Sequence, residues 1–156
     1  VTRDLTLTAR DEAATARIAA ALAPHLRAGD VVLLDGALAA GKTFFVRALV
    51  AALGCTEQVT SPTYTIAHIY ETGSLPVLHV DAYRLRGAQD FHHLGLEEQV
   101  ESGLSLIEWG ERLGDFFDAP LSIRLDFGAG EGTRRITLRA EAARWSPVLD
   151  ALEGVA

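Results

Sequence analysis

The sequence predicts an α/β fold: a mixed sheet with a parallel core and an antiparallel extension, flanked by helices. Three observations carry this. "DVVLLDG" (30–36) is a continuous apolar run, and a loop closed by glycines joins it to a helical pattern. Strand-like and helix-like segments alternate through the first half of the chain. Near the end, two segments that alternate apolar and polar residues flank a glycine-rich turn.

Taken in order, "DLTLTA" alternates like a short strand. "DEAATARIAAALAPHL" places Ala14, Ile18, Ala21 and Leu22 at helical spacing, with Asp11 and Glu12 where a helix dipole favours acids. "DVVLLDG" reads as a strand buried on both faces. "KTFFVRALVAALG" reads as a helix ending at Gly54. "SPTYTIAHIYETG" reads as a proline turn, an alternating strand and a Thr-Gly turn. "PVLHVDAYRL" is a second buried strand ending at Asp81, and "LSLIEWGERL" a third ending at Glu108. The segment between them, "RGAQDFHHLGLEEQVESG", is irregular or helical. "PLSIRLDF" and "RRITLRA" pair as a hairpin around "GAGEG". In "RWSPVLDALEGV", Ser146 is the expected N-cap and Pro147 the first helical residue. With no repeat, linker or low-complexity stretch, residues 1–156 are expected to form a single domain.

The formal charge of −7 argues against a broad nucleic-acid-binding face. No apolar run reaches the roughly 18 residues of a membrane helix. The first residues lack the layout of a signal peptide, and the lone Cys55 excludes an internal disulfide and reads as an inert packed thiol. A cytoplasmic protein is expected. Thirteen of the 14 basic residues are arginine; the single lysine is Lys42. A bias of base composition explains the arginines but not the exception.

Lys42 lies in Gly36-Ala37-Leu38-Ala39-Ala40-Gly41-Lys42-Thr43, which matches the phosphate-loop pattern G-x-x-x-x-G-K-[ST] between an apolar strand and a helix. Glycines let the backbone N–H groups close around phosphate, and the helix N-terminus adds its dipole. The Lys42 ammonium serves as a point charge on the β- and γ-phosphates, and Thr43 offers a hydroxyl to Mg²⁺. With Phe44 next on the helix, these are the candidate nucleotide-binding residues. Such a loop needs a carboxylate to support Mg²⁺ and a group to orient water. Asp81 and Glu108 end apolar strands, and parallel strands would bring both to the loop's edge of the sheet. By its chemistry alone "SPTYT" reads as a proline turn, with Thr63 its candidate hydroxyl for the γ-phosphate or Mg²⁺.

"GALAAGKTFFVRAL", "SPTYT", "HVDAYRL", "LGLEE" and "LIEWGERL", in this order over roughly residues 5–140, resemble the bacterial TsaE (formerly YjeE) family. The phosphate loop is generic; the trio "SPTYT", "HVDAYRL" and "IEW" at these separations is specific. The resemblance implies a small Mg²⁺-dependent P-loop ATPase that takes part in threonylcarbamoyladenosine formation beside the tRNA anticodon. It would act with the TsaB–TsaD pair, and tRNA would be met only through that complex. Carried over residue by residue, Lys42 binds phosphate, Thr43 binds Mg²⁺, and Thr63 belongs to a switch. Asp81 is the Walker-B-like carboxylate, Glu108 supports Mg²⁺ or the attacking water, and Trp109 lies near the nucleotide. Adenine is expected because the guanine-reading motif N-K-x-D is absent. No arginine finger is evident, so turnover alone is expected to be slow and partner-stimulated.

The sequence departs from the family pattern G-D-L-G-A-G-K-T at Ala37 and Ala39. A positive φ at residue 39 would cost alanine roughly 1 kcal/mol. Asp35 lies on the wrong side of Gly36 to replace the missing acid. Phe44 replaces a frequent threonine, and Gly110 replaces a frequent proline, with little expected consequence. Two alternatives remain open: a small-molecule kinase with "GEGTRR" as its lid, and a non-catalytic nucleotide-sensing adaptor. His68 and His79 read as packed or hydrogen-bonded. His92 and His93 do not pair into a metal site. Arg84 and Arg86 could touch phosphate or lie in a solvated loop.

Overall fold

The computed structural model describes residues 2–57 and 66–156. Thr63 and the rest of "SPTYT" lie outside the described residues. Among those described, seven strands form one sheet: β1 (Arg3–Ala9), β2 (Val31–Gly36), β3 (Ala67–Tyr70), β4 (Val77–Asp81), β5 (Leu104–Glu108), β6 (Leu121–Phe127) and β7 (Arg134–Ala140). Their order is β1-β7-β6-β2-β5-β4-β3. Strands β6, β2, β5 and β4 run parallel, while β3 extends one edge and the pair β7 and β1 the other, all antiparallel. This is the expected mixed sheet with its parallel core.

The helices are α1 (Glu12–Leu22), α2 (Lys42–Ala52), α3 (Ala88–His93), α4 (Glu97–Ser102) and α5 (Ser146–Leu152). Asp11 caps α1: its Oδ1 accepts from the Ala14 N–H at 2.8 Å. Strand β2 is buried along its whole length. Val32 and Leu34 join the core beneath α1, α2 and α5, whereas Val31 and Leu33 join a second cluster with Phe91 of α3. That double burial is why β2 reads as an unbroken apolar run. Strands β6 and β7 cover one face only, and they alternate.

The C-terminal helix corrects one expectation. Ser146 is already helical, and its hydroxyl accepts from Arg3 Nη1 at 2.9 Å instead of capping. A short 3₁₀ turn, Ala143–Trp145, precedes it. Trp145 is fully buried there, with its indole N–H donated to Ala119 O at 2.9 Å. Anchoring this large ring sets where the helix begins.

Candidate functional site

The loop from Gly36 to Thr43 leaves the carboxyl end of β2 and enters α2, as the pattern requires. Its glycines do different work. A Cβ on Gly36 would lie 2.2 Å from Leu125 O, so this residue is small because β6 passes against it. At Gly41, φ is +108° with space around it, so the need there is conformational. Ala39 has φ +66°, in the left-handed region, so the substitution that stood out in the sequence does carry strain. Leu38 is exposed at the tip, and Ala40 is buried. Arg134 of β7 donates from Nε to Ala40 O at 2.8 Å and pins the loop from the side.

Lys42 is buried, and its ammonium donates to Gly36 O at 2.8 Å and Ala37 O at 2.9 Å. Nζ also lies 4.0 Å from the centre of the Trp109 ring. Burial holds its pKa below the ordinary 10.5, opposed by Glu108, Asp35 and Asp81. The charge is thus folded back on its own loop.

Parallel register brings the acids together. Asp81 on β4 pairs with Glu108 on β5, which pairs with Leu34 on β2, two residues before the loop. Thr43 Oγ1 donates to Glu108, 3.0 and 3.1 Å from its two oxygens. His79 Nε2 lies 2.6 Å from Glu108 Oε2. Asp81 Oδ1 accepts from the Tyr83 N–H at 2.9 Å. Lys42, Thr43, Phe44, Asp81, Glu108 and Trp109, with Tyr83, line one cavity of about 300 Å³.

Trp109 follows β5 with φ +62°, so a non-glycine residue is again held left-handed. Its ring meets Tyr83 edge-on at 5.1 Å. Asp35 does not face the phosphate side. Its Oδ1 accepts from the Glu111 N–H at 3.0 Å and ties β2 to the 3₁₀ turn Gly110–Leu113. Burial raises the Asp35 pKa above the ordinary 3.8, although that bond opposes the shift. Gly110 corrects a second expectation. A Cβ there would lie 2.6 Å from Leu33 Cβ, so in this chain the residue is matched to Leu33 and its size matters.

A second cavity, of about 530 Å³, lies behind the loop and shares Gly41 and Phe44 with the first. The α1 entry (Arg10, Asp11) and the β6–β7 turn (Glu131, Gly132), with Arg134, line it. Sequence reasoning missed Tyr83 and weighed Arg134 and this turn only within the "GEGTRR" lid of the kinase alternative, because their place at the cavities depends on how distant strands assemble. "GAGEG" is a tight turn closed by Gly128 N–H donating to Thr133 O at 2.8 Å. His79 was read as merely packed or hydrogen-bonded; its position two residues before Asp81, on the same strand face, was the available signal.

The donors gathered here are hard oxygens: one hydroxyl and two carboxylates. Among the described residues no group of three His, Cys, Asp or Glu forms a ready metal cage. The hydroxyl and carboxylate oxygens are donors of the kind Mg²⁺ takes, with most of its shell left to water and phosphate oxygen. Among the described residues no arginine lines the first cavity. Arg86 pairs with Asp90 and His92 with Glu97, away from the site.

A family model described as "Threonylcarbamoyl adenosine biosynthesis protein TsaE" matches residues 9–136. The "tRNA threonylcarbamoyladenosine biosynthesis protein TsaE" of Treponema pallidum is 41% identical over 128 residues, covering 80% of this chain and 92% of that protein. The protein of the same name from Rickettsia conorii is 34% identical over 151 residues, covering 94% and 86%. Among solved structures, Bacillus subtilis YdiB superposes with a TM-score of 0.82 at 31% identity, covering 97% of this chain and 95% of the other.

Proposed function

The chain belongs to the TsaE family, and from that premise we propose that it binds and hydrolyses MgATP as one component of the tRNA threonylcarbamoyladenosine machinery. One observation supports this above others. Lys42 and Thr43, on a loop of phosphate-binding pattern, share a single cavity with Asp81 and Glu108 from two adjacent parallel strands.

In this reading the triphosphate lies against the N-terminus of α2, whose first N–H groups have no intrahelical partner. Lys42 exchanges its contacts with Gly36 O and Ala37 O for phosphate oxygens. Thr43 would offer its hydroxyl to Mg²⁺, and Asp81 and Glu108 would hold the water around it; Mg²⁺, when bound, would supply charge neutralisation to the triphosphate. Glu108 orients the attacking water. The nucleoside extends past Phe44 into the second cavity. With no arginine on the first cavity among the described residues, the chain alone stabilises transition-state charge incompletely, and turnover is slow until TsaB–TsaD engages it. tRNA is met through that complex, in the cytoplasm. A kinase lid at "GEGTRR" (130–135) is disfavoured, because it begins in a turn closed by the Gly128 N–H to Thr133 O bond and contains Arg134, which is tied to Ala40 O.

The test is phosphate release and co-purification with TsaB–TsaD, with and without ATP, for the wild type and Lys42→Ala. Slow release that the partners stimulate, and that Lys42→Ala abolishes, is expected. Fast release indifferent to the partners refutes the coupling. ATP retained intact in the assembled complex points to an adaptor, and label on a small acceptor to a kinase.

A further inference from the structure

The geometry points to His79 as a positioning residue for the Glu108 carboxylate, a role that rests on the nucleotide reading above. His79 is fully buried on β4. Away from Asp81 and Glu108, its neighbours in that layer are the aliphatic Val77, Leu104, Leu106 and Leu34 and the buried Tyr70 ring, 6.3 Å from the imidazole between centres. An aliphatic side chain would fill this place without stranding a polar atom, yet His79 Nδ1 has no hydrogen-bond partner among the described residues. Nε2, by contrast, meets Glu108 Oε2 at 2.6 Å. A proton on Nδ1 would be a buried donor with nothing among the described residues to receive it. The ring proton therefore belongs on Nε2, donated to Glu108.

The other partner of that carboxylate is exchangeable. Thr43 donates its one hydroxyl proton to Glu108, and the hydroxyl can turn away to a cation. His79 has no comparable freedom, because the core encloses it. When Thr43 leaves, His79 still holds Oε2 and with it the rotation of the carboxylate. Oε1 is then the oxygen left to serve the cation or its bound water. Without His79, Glu108 would lose that orientation at the step where Mg²⁺ enters, while phosphate contacts made by Lys42 and the loop would persist.

The test uses the full chain and two readouts. Nitrogen-15 correlation spectra of the imidazole report its tautomer. The proton is expected on Nε2, with that resonance displaced in Glu108→Gln; a proton on Nδ1 overturns the proposal. Calorimetry then gives ATP affinity in EDTA and with Mg²⁺. His79→Leu should leave the EDTA value within about twofold and cut the affinity gained from Mg²⁺ about tenfold, and His79→Gln, which keeps a donor, should restore most of it. His79→Phe takes the place of the leucine variant if that fails to fold. In a Glu108→Gln background the same substitution should add nothing. An unchanged Mg²⁺ gain, or equal losses in EDTA and Mg²⁺, overturns the positioning role. A wild-type chain that binds no ATP refutes the nucleotide reading and this role with it, while the tautomer spectrum separately reports whether the contact exists.

Discussion

Replacing Ala39 by glycine separates two ways in which the phosphate loop could be strained. Ala39 sits at φ +66°. If that strain belongs to the fold itself, relieving it should appear in folding stability and not in affinity. An L-residue in the left-handed region costs roughly 1–2 kcal/mol relative to glycine. Glycine also loosens the unfolded chain, which takes back about 0.4–1 kcal/mol. The midpoints of these ranges leave a gain of roughly 0.8 kcal/mol, or about 2–3 °C in melting temperature for a chain of this size. Affinity for MgATP should change by less than about twofold, or about 0.4 kcal/mol. Thermal melts followed by circular dichroism, and calorimetric titration with MgATP, measure the two quantities. Gly41→Ala is the converse control. Its φ is +108° and the nearest atom to a new Cβ, Leu125 Cδ2, is 3.7 Å away, so it should lose stability through backbone conformation alone. Binding about tenfold tighter in Ala39→Gly, with an unchanged melting temperature, would refute the reasoning. It would mean that the loop takes up the strained φ only around phosphate.

Two further outcomes follow from the turn beside the loop. Burial raises the Asp35 pKa, so its contribution to stability is present below the unfolded-state pKa and is lost as pH rises through the folded value. Asp35→Asn keeps an acceptor for the Glu111 N–H and removes the buried charge. It should therefore melt higher than wild type near about pH 8, with the gap closing towards about pH 4; a gap that ignores pH contradicts the burial argument. Gly110→Ala drives a methyl to 2.6 Å from Leu33 Cβ and should cost about 1–3 kcal/mol in denaturant unfolding. Leu33→Gly, which removes the Cβ, Cγ and Cδ2 atoms that the methyl would meet, should recover part of that loss, so the double-mutant cycle should be non-additive by at least about 0.5 kcal/mol; strict additivity would show that the two residues do not meet.

Much of the fold was legible in the sequence because its signals are local. Continuous burial of β2 wrote an unbroken apolar run, one-sided burial of β6 and β7 wrote alternation, and Asp11 announced α1. The start of α5 was misread because Trp145, anchored to Ala119 across the fold, outweighs the local cap signal at Ser146.

By itself the sequence determined the loop, its lysine and hydroxyl, the strand-end carboxylates and the family resemblance. Each of these is a property of a contiguous segment: a phosphate cradle is built from consecutive backbone groups, and a carboxylate at a strand end can be counted along the chain. Only the tertiary structure decided which groups meet. Register between β4 and β5 sets Asp81 beside Glu108, and the opposite layers of β2 send Leu34 under α2 and Leu33 against Gly110. The reach of His79 to Glu108, of Asp35 to Glu111 and of Arg134 to Ala40 depends on strands and turns distant in sequence. Hydrogen bonds act over about 3 Å whatever the separation along the chain, so these partners became visible only when the sheet was assembled.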